Sequence, residues 1–119
     1  MAGYRMNRIS EDIARELAAI LRTVKDPRVG GTLLSVVRVD VTNDLSYATV
    51  YVSSMDGIAR ATEAVKGLRS AAGYMRRELG RALELRHVPE LRFVPDDRIE
   101  YSAEIARKLN ELHKESDNG

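Results

Sequence analysis

The sequence predicts an α+β domain in which helices cover one face of a three-stranded sheet. Three observations carry this. Ile9, Ile13, Leu17, Ile20, Leu21 and Val24 recur at helical steps of three and four. From Leu33 the period drops to two, with Val37, Val39 and Val41 on one face and Arg38 and Asp40 on the other, and later Ala48, Val50 and Val52 alternating with Tyr47, Thr49 and Tyr51. From Ile58 the helical period returns and runs to Ala82.

Each element has its own signals. The first helix has Ser10 as a candidate cap and Asp26-Pro27 as its stop. Thr42-Asn43-Asp44-Leu45 is turn chemistry, so the two strands it joins form a hairpin. Ile58, Ala61, Val65, Leu68, Ala72, Met75, Leu79 and Ala82 keep one phase, that of a single long helix, yet Gly67, Gly73 and Gly80 interrupt it. Each interior glycine costs a helix roughly 1 kcal/mol relative to alanine. Something other than helix stability keeps them there. Glu90 to Val94, opened by Pro89 and closed by Pro95, reads as a short third strand. Ile99, Ile105, Leu109 and Leu112 suggest a C-terminal helix, which makes residues 1–113 one domain and 114–119 a polar, flexible tail. Ser53, Ser54 and Ser70 read as loop and helix-surface residues.

A chain of 119 residues supports one core and not two domains. With 44% hydrophobic and 31% charged residues it is an ordinary globular composition. The absence of cysteine excludes a disulfide scaffold, a zinc ribbon and thiol chemistry. No apolar run is long enough for a signal peptide or a membrane span, so the expected location is the cytoplasm.

Enzymatic readings find little. His87 and His113 lie far apart, and neither is spaced for a nucleophile or a metal. Asp96, Asp97, Glu100 and Glu104 suit the start of a helix, whose dipole they complement, better than a metal site. No phosphate-binding glycine loop is present. Hence no catalytic residue, metal or cofactor is expected.

The charge distribution is more informative. Net charge is only +1, but residues 60–92 hold eight basic and four acidic side chains, whereas 93–119 hold four and seven. Arginine outnumbers lysine fifteen to four, and its planar fork suits phosphate. On a helical wheel Lys66, Arg69, Gly73, Arg76 and Gly80 share one sector beside the apolar seam, with Arg77 and Arg81 at its margin. Glycine permits close backbone approach and arginine pairs with phosphate, a combination suited to RNA. Alternatively, Gly73 only lets the helix pack tightly on a neighbour. Tyr47 and Tyr51 on the outer hairpin face offer base stacking or simple cross-strand packing.

Lys25-Asp26-Pro27-Arg28-Val29, Asp44-Leu45-Ser46-Tyr47-Ala48, Val50-Tyr51-Val52-Ser53 and Arg86-His87-Val88-Pro89-Glu90-Leu91-Arg92-Phe93 with Asp96-Asp97 stand in an order that resembles the ribosome-binding factor A family. The resemblance covers nearly the whole chain. It implies a type II KH-like single domain, helix-strand-strand-helix-kink-helix-strand, in which an A-x-G kink replaces the G-x-x-G loop of other KH domains. Ala71-Ala72-Gly73 occupies that place. The resemblance also implies a monomeric, non-catalytic factor that binds the maturing 30S subunit and 16S rRNA near the neck and decoding region. Such a factor supports late maturation and 5′-end processing, especially in the cold. Two other readings stay open: a stand-alone single-stranded RNA module using the sheet tyrosines, and a protein adaptor using the acidic C-terminal helix.

Overall fold

The computed structural model describes residues 2–96 together with Arg107 and Lys108, and side chains from Arg8 onward. The C-terminal helix expected from Ile99 to Leu112, the tail 114–119, and Asp97, Glu100, Glu104 and His113 lie outside the described residues.

Helix α1 spans Ala2–Leu21 and buries Ile13, Leu17, Ile20 and Leu21, the face its periodicity predicts. Ser10 lies inside it and caps nothing, because the helix begins eight residues earlier. Its end is marked by Thr23, whose backbone N–H and hydroxyl both donate to the Ile20 carbonyl, at 2.9 and 2.6 Å. Asp26-Pro27 is therefore not its stop. That pair opens a separate short helix, α2 (Pro27–Gly30): the Asp26 carboxylate accepts from the Arg28 N–H, and proline at the first helical position forgoes an N–H the helix would leave unbonded. Val29 from this turn is buried.

Strand β1 is Leu34–Val41 and strand β2 is Tyr47–Ser54, paired antiparallel. The strict alternation predicted for β1 fails at a bulge between Val36 and Arg38, where Val37 has no register partner. One extra residue flips the faces. Leu34 and Val36 thus pack inward before the bulge, and Val39 and Val41 after it, while Leu33 stands 66% exposed instead of joining that face. In β2 the alternation holds: Ala48, Val50 and Val52 are fully buried. Ser53 and Ser54 are buried strand residues, not loop residues, because the strand runs past Val52.

The single rod that the apolar phase alone describes is two helices, in the helix-kink-helix order the family resemblance implies. Helix α3 is Ile58–Ser70 and helix α4 is Ala72–Leu83, and they part at Ala71. Two packing demands explain the break: α3 lies against β2, β3 and α2, whereas α4 lies against α1. A straight rod cannot reach both. Ala61, Val65, Leu68, Met75 and Leu79 are buried as their phase requires, but Ile58 and Ala82, at the two ends, are exposed. Strand β3 (Glu90–Pro95) then pairs parallel with β2, giving sheet order β1-β2-β3. The core is the space between the inward sheet face, with Val50, Val52 and Phe93, and the helix layer, with Ile13, Leu17, Leu68, Met75 and Leu79. Each such side chain contributes about 1.5–3 kcal/mol on burial. The other sheet face carries Arg38, Asp40, Tyr47 and Arg92.

Candidate nucleic-acid interface

The helix pair turns on one residue. Ala71 has φ −94° and ψ 5°, its N–H reaches the carbonyls of Gly67 and Leu68 at 3.1 Å, and its carbonyl accepts from Met75 at 3.0 Å. These angles are open to any residue. Ala72 and Gly73 are the first two residues of α4, and Gly73 does not have the left-handed backbone that would demand glycine. No backbone strain therefore requires glycine at this residue.

The three helix glycines have three different surroundings. A methyl at Gly67 would lie 2.8 Å from Val29 Cγ2 and 3.1 Å from Asp26 Cγ, so its absence lets α2 sit tightly on α3. A methyl at Gly80 would meet Val88 Cγ2 at 2.7 Å. At Gly73 no atom of the described residues lies within 4 Å. Gly73 does not serve internal packing; its face is open to the outside.

The basic residues also divide. Lys66 donates to Glu63 at 2.9 Å, which holds that carboxyl below the usual carboxylate range. Arg69 donates from Nη2 to the Phe93 carbonyl at 3.2 Å, and Arg76 from Nη2 to the Val88 carbonyl at 2.8 Å, so both tie the helix layer to β3 and its approach. Arg81 lies 3.7 Å from Glu78 in an exposed pair, a weak tether. Arg77 is exposed and has no partner among the described residues. The wheel placed these groups together but could not show that two of them bond backbone carbonyls.

Tyr47 and Tyr51 lie on the outer sheet face, each with a guanidinium against one face of its ring. The guanidinium of Arg92 stands 3.8 Å from the Tyr47 ring centre, and that of Arg38 stands 4.5 Å from that of Tyr51. Arg38 also pairs with Asp40 at 3.1 Å. Cross-strand packing accounts for both tyrosines.

Sequence reasoning missed Tyr74. It follows Gly73 on α4, is 36% exposed, and its hydroxyl lies 2.7 Å from Thr23 Oγ1. Since the single Thr23 hydroxyl proton goes to the Ile20 carbonyl, Tyr74 is the donor in this bond. The ring stands at a groove of about 550 Å³ between residues 23–26 and Gly67, Ser70, Ala71 and Tyr74. An aromatic residue directly after a glycine inside a helical run is the signal that could have found it.

His87 lies in the exposed loop before β3, and no cluster of metal-ligating side chains occurs among the described residues. No described helix is long and apolar enough to cross a membrane.

Element order, one-sided helix layer and bent helix pair define a small KH-like α+β module. The family model described as ribosome-binding factor A matches residues 5–109. The ribosome-binding factor A of Caldanaerobacter subterraneus is 43% identical over 113 residues, covering 94% of this chain and 92% of that protein. The crystal structure of the Thermus thermophilus ribosome-binding factor A superposes with TM-score 0.66 at 28% identity, over 76% of this chain and 94% of that one. A Thermus thermophilus model fitted into a cryo-EM map of a 30S complex gives TM-score 0.59 at 30% identity, over 70% and 86%. The chain belongs to the ribosome-binding factor A family.

Proposed function

We propose that this protein binds the maturing 30S subunit in the cytoplasm and contacts 16S rRNA near the neck and decoding region, as a monomer and without turnover of its own. The observation that carries this reading is the family match over 5–109. The surface offered to rRNA is the bent helix pair, from Lys66 and Arg69 through Ala71, Ala72 and Gly73 to Arg76, Arg77, Gly80 and Arg81. Within it the open backbone at Gly73 and the unpartnered Arg77 are the groups available for close approach and phosphate contact. Such a factor acts by binding alone: preferential affinity for one rRNA arrangement stabilises that arrangement while the protein stays bound. Support of late maturation and 5′-end processing, above all in the cold, follows from holding that arrangement. The test is sedimentation of the tagged protein in cell extract. Co-migration with free small subunits and absence from assembled ribosomes is expected; co-migration with neither particle refutes the reading. A stand-alone RNA module using Tyr47 and Tyr51 is disfavoured by the arginines that already cover both rings.

A further inference from the structure

The groove beside the kink has features that packing does not explain. Its one carboxylate among the described residues, Asp26, is engaged by Arg28: Oδ1 accepts from the Arg28 N–H at 2.9 Å and from Nε at 3.1 Å, and Oδ2 accepts from Nη2 at 2.8 Å. Lys25, exposed on the same rim, has no partner among the described residues. The groove therefore presents one uncompensated positive charge. Its aromatic wall, Tyr74, is held by Thr23, and no cation covers its ring, unlike those of Tyr47 and Tyr51. A half-exposed ring fixed at its hydroxyl is a stacking platform with its orientation already determined. Ser70 donates its hydroxyl to the Lys66 carbonyl at 3.3 Å and keeps lone pairs to accept from a ligand. At about 100° per residue, Arg77 falls between Gly73 and Tyr74 around α4, which sets its charge between the open face at Gly73 and the ring that walls the groove.

We propose that this groove holds one unpaired RNA nucleotide, its base stacked on Tyr74 and its phosphate at Lys25. A nucleotide offers a π face and an anion on one residue, which matches the fixed ring and the lone cation. The proposal rests on the ribosome-binding reading and adds a specific subsite, on the α1–α2 side of the helix pair rather than the β3 side.

The experiment measures affinity for 30S subunits of the same organism, with ultraviolet crosslinking and peptide mapping of the complex. Tyr74→Ala should weaken binding about 5- to 150-fold, the range found for losing one base–aromatic stack. Tyr74→Phe, which keeps the ring but not the Thr23 bond, should stay within about threefold of wild type, since the stack itself survives. Lys25→Glu should weaken binding and flatten the salt slope by about 0.7, one single-strand phosphate contact. Should Tyr74→Ala fail to fold by circular dichroism, Lys25→Glu and the crosslink decide. A crosslink from Tyr74 to an rRNA nucleotide supports the proposal; one to a ribosomal protein overturns it. Wild-type affinity in both Tyr74→Ala and Lys25→Glu overturns the groove and leaves the ribosome-binding reading standing. Failure of the wild-type protein to bind 30S overturns the ribosome-binding reading, and the groove assignment falls with it.

Discussion

Replacing Gly73 and Gly80 by alanine, one at a time, separates a glycine kept by packing from one kept by a partner. Gly73 is the second residue of α4, with no atom of the described residues within 4 Å of the position a methyl would take. Alanine there gains about 0.5–1 kcal/mol of helix stability and meets no clash, so Gly73→Ala should raise the melting temperature by about 2–5 °C. At Gly80 the same gain is opposed by Val88 Cγ2, 2.7 Å from the new methyl, on a stiff β-branched side chain. Overpacking of this kind costs about 1–3 kcal/mol, so Gly80→Ala should lose about 1 kcal/mol net. Thermal melting by circular dichroism reads both signs. If rRNA approaches the open backbone at Gly73, the stabilised variant should bind small subunits at least fivefold more weakly, a cost of about 1 kcal/mol. A lower melting temperature for Gly73→Ala would refute the described surroundings of this residue. A higher one with unchanged subunit affinity would refute its place in the interface.

Other outcomes follow from the same contacts. Arg77→Glu should weaken subunit binding and flatten its salt slope with little change in melting, whereas Arg76→Glu should also lower stability by about 1 kcal/mol, because it breaks the bond to the Val88 carbonyl. Arg28 holds the Asp26 carboxyl below its ordinary range, first through its side-chain hydrogen bonds and then through its backbone N–H. A depressed folded-state value stabilises above the unfolded value and is lost as pH falls through the folded one. The melting gap between wild type and Asp26→Asn should therefore be full near pH 6 and close as pH drops below about 4. Ser53 Oγ is buried without a hydrogen-bond partner among the described residues, so Ser53→Ala should melt no lower than wild type and gain up to about 1 kcal/mol, read by denaturant titration.

Most of the fold was legible because burial imposes a period, and the period shows in single residues. Ile13, Leu17 and Leu68 face the core where spacing puts them, as do Val50 and Val52. What escaped has physical reasons. The bulge at Val37 adds one residue to a strand, and nothing local marks it, since valine is equally at home on either side of the flip. The break at Ala71 arises because α3 and α4 serve different partners, a tertiary demand invisible in a phase that continues across it, and only the family resemblance pointed to it, through Ala71-Ala72-Gly73. The basic sector was legible as a sector only. That Arg69 and Arg76 each bond a backbone carbonyl depends on where β3 and its approach lie, some twelve to twenty-four residues away in sequence. Tyr74 was overlooked for the same reason: its partner, Thr23, is fifty-one residues away.

The bond from Arg69 to Phe93 has a consequence for how the sheet ends. In β3 the N–H groups of Glu90 and Asp96 point to β2, donating to the carbonyls of Ser46 and Val52. Alternation then turns the backbone of Leu91, Phe93 and Pro95 to the outer side. A strand margin with no pairing strand among the described residues is a template on which another chain can lengthen the sheet. Here Pro95 has no N–H to offer, and the Phe93 carbonyl is already taken by a guanidinium. An incoming strand would find that margin half silenced and an arginine in its way. The residue that joins helix to strand thus also discourages the sheet from growing, which matters most for a small protein made where many nascent chains are still unfolded.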